Sequence, residues 1–199
     1  MTDGRIAVFF DRDGTLIEDV GYLRTPDQVR LLPGAAASLC RLNDRQILTC
    51  LVSNQSGIAR GLFTEDDLAG IHQRMENDLA AAGAHLDRVY YCPHHPTEGR
   101  PPYNIECMCR KPRTGMLEQA ARECAIDLAR SFIVGDKALD IEAGKRAGTK
   151  SILVLTGFGR SSVEECRRRG TNPDFTAPTV AEAVEYIMHH LEGVSHPYA

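Results

Sequence analysis

Residues 6–10, Ile-Ala-Val-Phe-Phe, form an unbroken apolar run that stops at Asp11-Arg12-Asp13-Gly14-Thr15-Leu16. A strand with one wet face alternates apolar and polar side chains, whereas a continuous apolar run ending in a polar loop reads as a strand buried on both faces. Only a sheet covered by helices on both sides supplies such a place, so this run points to a layered α/β architecture. The remaining chain alternates to match. Pro33-Gly34 opens a helix with Ala36, Leu39, Cys40 and Leu42 on its inner side, and residues 47–52 read as a second strand. Thr64 is an N-cap, with Asp67 three residues on and Leu68, Ile71, Met75 and Leu79 at helical spacing behind it. Strands are predicted over 89–91, 132–134 and 152–155 and, more weakly, around Phe175. Helices are predicted over 116–124, 141–147 and 181–191. The expected fold is a three-layer sandwich about a parallel, doubly wound, Rossmann-like sheet, and 199 residues suit a single domain over 1–199.

Lys plus Arg total 23 against 27 Asp plus Glu. That acidic balance, with no basic stripe carrying interleaved aromatics, argues against nucleic acid as a partner. The apolar runs are strand-sized, far short of the roughly 20 residues a membrane helix needs, so no membrane partner is expected. The first residues lack the layout of a secretory signal, and the expected location is the cytoplasm. Seven cysteines are an odd number for a disulfide frame, and three of them gather with histidines between Cys92 and Cys109.

In sheets of this kind ligands bind beyond the carboxyl ends of the strands, which makes the loops there the first place to look. After the first strand, Asp11 and Asp13 with Gly14 can bring two carboxylates to one small site, one to attack and one to handle a proton. The same residues serve equally well as a polar turn. After the second strand, Ser53-Asn54-Gln55-Ser56-Gly57-Ile58-Ala59-Arg60-Gly61 reads either as a backbone cradle for an anion or as an ordinary Gly-rich connection. After the fourth, Gly135-Asp136-Lys137 and Asp140 could hold a hard cation such as Mg2+ or cap the next helix.

Between the third strand and Lys111 lie Cys92-Pro93-His94-His95-Pro96 and Cys107-Met108-Cys109. Cys-x-His and Cys-x-Cys each set two ligands on one side of an extended segment. Cys92, His94, Cys107 and Cys109 therefore make a closed Zn2+ site within a loop over 92–109 that has few apolar residues to hold it otherwise. His95 points the other way. Cys40, Cys50, Cys124 and Cys166 are read as ordinary thiols.

Taken in order, these motifs resemble those of the haloacid dehalogenase-like phosphatases: Asp11-x-Asp13-Gly14-Thr15, Ser53, Lys111, and Gly135-Asp136 with Asp140. The resemblance implies that Asp11 is the nucleophile, Asp13 the general acid and base, and Ser53 and Lys111 the clamps on the phosphoryl group. It further implies Mg2+ on Asp11, the main chain at Asp13, and Asp136. The physics agrees, because clustered carboxylates would repel a phosphate unless a cation and a lysine offset them.

Gly21-Tyr22, residues 54–61, Tyr91-Cys92-Pro93-His94-His95-Pro96, Cys109-Arg110-Lys111-Pro112 and Gly135-Asp136-Lys137 are similar to the subgroup acting on heptose bisphosphates, near the histidinol-phosphate phosphatases. That likeness implies a small-molecule sugar phosphate as substrate, with histidinol phosphate as the alternative, and a substrate site of Arg12, Asp19, Val20, Gly21, Tyr22, Ser53, Asn54, Gln55, Ser56, Arg110, Lys111 and Lys137. It also implies no large cap domain, for which neither inter-strand stretch has room. A monomer is expected. Arg113-Thr114 and the basic stretch 160–171 depart from the pattern, and Arg167, Arg168 and Arg169 read as a solvated helix end.

Overall fold

The chain is described by a computed structural model over residues 4–193. The ends of the expected 1–199 domain, 1–3 and 194–199, lie outside the described residues. Its strands are β1 (Ala7–Phe10), β2 (Leu48–Asn54), β3 (Arg88–Cys92), β4 (Phe132–Gly135), β5 (Lys150–Val154) and β6 (Phe175–Ala177). All pairs are parallel, in the order β3-β2-β1-β4-β5-β6. The chain therefore winds outward from β1 to β3, then returns to β4 beside β1 and winds the other way. This reversal opens a crevice at the carboxyl ends of β1 and β4, where ligands bind in such sheets.

The helices are α1 (Ala35–Asp44), α2 (Glu65–Ala81), α3 (Gly115–Cys124), α4 (Ala138–Ala147), α5 (Gly159–Arg169) and α6 (Val180–Glu192). Every residue of β1 is 0% exposed, and the pleat explains how. Val8 and Phe10 pack into one core with Leu39 and Leu42 of α1, Ile71 and Met75 of α2 and Val184 and Ile187 of α6. Ala7 and Phe9 face the opposite layer, with Met116, Leu117 and Ala120 of α3 and Ala143 of α4. Both faces are apolar because both are covered.

Thr64 caps α2 as its sequence predicts: its Oγ1 accepts from Asp67 N at 3.0 Å, and its own N donates to Asp67 Oδ2 at 2.7 Å. Two helices differ from expectation. The α4 helix starts at Ala138 rather than 141, because Lys137 N donates to Asp140 Oδ2 at 3.0 Å and so closes an extra turn. In the basic stretch α5 is a complete helix. Its buried side is Gly159, Ser162 and Cys166, small residues that leave little hydrophobic periodicity to detect. Between β2 and β3 stands only α2, and between β1 and α1 only a loop with a 3-10 turn at Pro26–Gln28; neither is a cap domain. No helix among the described residues is long and apolar enough to cross a membrane.

Candidate active site

Asp11 follows the last residue of β1, 5% exposed, with its N donating to Val134 O of β4 at 2.9 Å. The strand pair itself fixes its place at the crevice. Lys111, 2% exposed, reaches in from the other side and donates to Asp11 Oδ1 at 2.9 Å and Val52 O at 2.6 Å, and its Nζ stands 2.6 Å from Asp140 Oδ1. Burial by itself would raise the Asp11 carboxyl, but the charges of Lys111 and Lys137 and the Lys111 hydrogen bond outweigh it and hold Asp11 below the ordinary value. Burial would likewise lower Lys111, and Asp11 and Asp140 overcome it, leaving the ammonium firmly charged. The Lys111 loop is fastened to β2 by a reciprocal amide pair, with Asn54 Nδ2 donating to Lys111 O and Lys111 N donating to Asn54 Oδ1, each at 3.0 Å.

Asp136, just beyond β4, is 0% exposed. Its Oδ2 accepts from Phe158 N at 2.8 Å, while Oδ1 has no hydrogen-bond partner and its ion-pair neighbour is Lys137 Nζ at 3.9 Å. Burial, then the Asp11 charge, pushes its carboxyl up to about 8. Gly14, at φ +80°, and Gly157 press against this carboxylate so closely that a Cβ on either would overlap it. Asp11, Asp136 and Asp140 each place an oxygen within 4.8 Å of the others. Three facing carboxylates with an orphaned, buried oxygen are an oxygen-rich nest of the kind a hard divalent cation satisfies.

Asp13 stands at the edge, its carboxylate accepting from Arg12 Nε and Nη2 at 3.0–3.1 Å and from Gln55 Nε2 at 3.0 Å. Gln55 Nε2 also donates to Ser53 Oγ at 2.9 Å, and Ser53 is 1% exposed. Arg12, expected among the substrate ligands, is instead turned inward behind Asp13 and is 1% exposed.

A cavity of about 330 Å³ opens beside these groups, lined by Asp13, Asp19, Tyr22, Gln55, Arg110 and Lys137 among others. Gly21, Asn54 and Ser56 border it as well. Val20, half exposed, is outside that lining. Asp19 accepts from Gly21 N at 2.7 Å and from Lys137 Nζ at 3.1 Å. Burial opposes the Lys137 charge, but Asp11, Asp136 and Asp19 prevail and raise its pKa. Arg110 is steadied by donating from Nη1 to His94 O at 3.1 Å.

That histidine belongs to the Cys/His loop. Cys92 Sγ lies 3.7 Å from His94 Nδ1 and 3.5 Å from Cys107 Sγ, and Cys109 Sγ lies 3.4 Å and 3.2 Å from the same two groups. Hydrogen bonds from Cys92, Cys107 and His94 bring Cys109 down to about 5 despite its burial, so the cluster stabilises a thiolate. His95 faces away, its Nδ1 accepting from Thr97 N and Glu98 N.

Sequence reasoning missed the loop after β5, where Thr156 Oγ1 donates to Gly14 O at 2.6 Å and Phe158 N holds Asp136. Its position after a strand of the parallel sheet was the available signal. It also missed His72, which meets Arg12 from α2, and nothing in its helical, inward-facing position distinguishes it from a core residue.

Residues 108–183 match the HAD-hydrolase-like family model. A D-glycero-D-manno-heptose-1,7-bisphosphate 7-phosphatase of Thermosynechococcus vestitus is 46% identical over 191 residues, covering 94% of this chain and 97% of that protein. A D-glycero-beta-D-manno-heptose-1,7-bisphosphate 7-phosphatase of Haemophilus ducreyi is also 46% identical, over 92% of this chain and 99% of that protein. Among solved structures, D,D-heptose 1,7-bisphosphate phosphatase from B. bronchiseptica, complexed with magnesium and phosphate, superposes with a TM-score of 0.81. It is 34% identical and is matched over 93% of this chain and 99% of its own.

Proposed function

The chain belongs to the family of D-glycero-D-manno-heptose-1,7-bisphosphate 7-phosphatases, which are haloacid dehalogenase-like hydrolases, and from that membership we propose how its own residues carry the reaction. It is a phosphoric monoester hydrolase that removes the 7-phosphate of the heptose bisphosphate, and the heptose 1-phosphate it leaves serves nucleotide activation on the route to lipopolysaccharide or other heptosylated glycans. One observation carries the assignment of the centre: a buried, lysine-paired Asp11 at the topological switch point, facing an Asp136 with an orphaned oxygen.

An oxygen of Asp11 attacks phosphorus, the bond from phosphorus to the C7 oxygen breaks, and Asp13 delivers a proton to that oxygen. Asp13 then takes a proton from water, whose oxygen attacks the aspartyl-phosphate, freeing phosphate and restoring Asp11. Lys111 and Ser53 hold the transferring group, with Lys111 tethered to β2 through Asn54. Asp11, Asp136 and the main chain at Asp13 would hold Mg2+, since the Asp13 carboxylate is committed to Arg12 and Gln55. When bound, the cation would offset the charge of the phosphoryl oxygens and of the facing carboxylates.

Zn2+ suits Cys92, His94, Cys107 and Cys109. Bond lengths of about 2.3 Å to sulfur in a tetrahedron set ligand sulfurs roughly 3.8 Å apart, and the sulfur–sulfur separations here, 3.5 Å for Cys92–Cys107 and 3.2 Å for Cys107–Cys109, need little adjustment. With no open position the ion would be structural, fixing Arg110 and Lys111 just downstream. The free thiols and the phosphorylated sugar substrate support a cytoplasmic enzyme, and the large exposed apolar residues, which among the described residues lie in loops, as Tyr22, Met108 and Phe158 do, support a monomer.

Arg110 tests the substrate assignment. A guanidinium grips a second phosphate through paired hydrogen bonds but repels the ammonium of histidinol phosphate. Wild-type kcat/KM for heptose 1,7-bisphosphate is expected to exceed that for histidinol phosphate by about tenfold to a hundredfold, the worth of one charge-assisted hydrogen bond, and Arg110→Ala should narrow the gap. Equal or better kinetics with histidinol phosphate would overturn the substrate assignment and leave the phosphatase chemistry standing.

A further inference from the structure

Arg12 heads the large side chains that are completely buried among the described residues. A guanidinium is costly to bury unless its donors are met, and here its surroundings meet them in a defined order. Nε and Nη2 fork onto Asp13, Nη2 also donates to Gln55 Oε1 at 3.1 Å, and Nη1 lies 3.4 Å from His72 Nε2. Because a guanidinium has donors only, His72 Nε2 has to accept, which makes the imidazole neutral with its proton on Nδ1. The surroundings enforce this: His72 is 7% exposed, its ring stands edge-on to Tyr91 at 5.9 Å, and burial, then the Arg12 charge, brings its pKa down to about 3.

Arg12 does not line the substrate cavity, whereas Asp13 and Gln55 do. We infer that Arg12, backed by the neutral His72 of α2, is a positioning residue that pins the carboxylate of Asp13 at the angle proton transfer requires. Asp13 precedes Gly14, whose φ is +80°, so its side chain leaves a tight turn and has no strand to orient it. A two-point fork supplies that orientation. Gln55 adds a second hold and ties it to Ser53.

The inference rests on the phosphatase function proposed above, and leaving-group chemistry separates the two. A sugar alkoxide leaves poorly and needs the proton from Asp13, whereas nitrophenolate leaves unaided. Either ester forms the same aspartyl-phosphate, whose hydrolysis again uses Asp13. Rapid-mixing kinetics on Arg12→Gln and His72→Leu should show formation of the phosphoenzyme from heptose 1,7-bisphosphate slowed about tenfold to a hundredfold, part of what a positioned acid or base contributes. With p-nitrophenyl phosphate the first turnover should stay within about threefold of wild type and appear as a burst of one nitrophenolate per chain before slowed steady turnover. His72→Gln, which returns an acceptor to Arg12, should recover most of the loss. Equal slowing of the first turnover with both esters, or unchanged rates in both variants, would overturn the positioning role alone. Should Arg12→Gln not fold, His72→Leu decides, because it keeps the Arg12 side chain and removes only the acceptor that holds Nη1 and so fixes the angle of the fork. A wild-type chain that releases phosphate from neither ester would overturn the function, and the positioning role with it.

Discussion

At Asp11, as the proposed nucleophile, two demands meet that an isolated aspartate could not satisfy together: it has to be dry enough to attack phosphorus and charged enough to do so. The Lys111 ammonium at 2.9 Å reconciles them, holding the carboxyl below its ordinary value despite burial. Asp11→Asn keeps the side-chain shape and removes the attacking charge, while Lys111 still has Val52 O and Asp140. Turnover should fall by at least about a thousandfold with the fold retained, checked by phosphate release alongside circular dichroism; substantial turnover by a folded variant would refute the covalent route. At this scale the sequence pointed to Asp11, Asp13, Ser53 and Lys111, and the structure sets Lys111 against Asp11 and links Asp13 to Ser53 through Gln55. The sequence did not show which way Arg12 turns, because an arginine between two aspartates can face substrate or neighbour and only packing decides.

Among the elements, the loop between β3 and α3 does the most with the least apolar surface. Its thiols and imidazole converge, and the Arg110-Lys111 pair emerges from that cluster straight into the site. One zinc per chain is therefore expected by elemental analysis of protein purified without chelators. Cys107→Ser should lower that content and weaken phosphate binding through Lys111 while Asp11 stays in place on β1. Protein purified without chelators that holds no zinc would refute the site, and full zinc content with unaltered kinetics in the variant would remove Cys107 from the ligand set. Elements were legible wherever a buried stripe was broad and apolar, as in α2 with Leu68, Ile71, Met75 and Leu79. The α5 helix was read only at its basic end, Arg167–Arg169, because its buried stripe is small and partly polar.

For the molecule as a whole, the consequence of gathering acids at one crevice is a linkage between metal, proton and fold. Asp136 titrates near 8 in the folded chain and near the usual carboxylate value of about 3.9 when unfolded. Between those limits the metal-free fold keeps a proton that the unfolded chain has lost, so this group makes stability fall as pH rises from about 4 to about 8. Mg2+ replaces that proton. The rise in Tm on adding Mg2+ should accordingly be larger at pH 8 than at pH 6, and thermal unfolding with equal rises at both would contradict the assignment of Asp136 to the cation.

The layered α/β fold follows from the sequence alone, through the doubly buried run ahead of Asp11, and so do the loops after β1 to β4 at the site, through their place after strands, though not the loop after β5. Those are local properties, since burial on two faces and residue type are written in neighbouring positions. Packing of the whole sheet was needed to return β4 beside β1, bringing Asp136 against Asp11, and to carry Lys111 across from a distant loop to join them. The same holds for His72, set behind Arg12 sixty residues away. Such pairings depend on the twist and order of the sheet, and they arise when separate segments bury their apolar faces together.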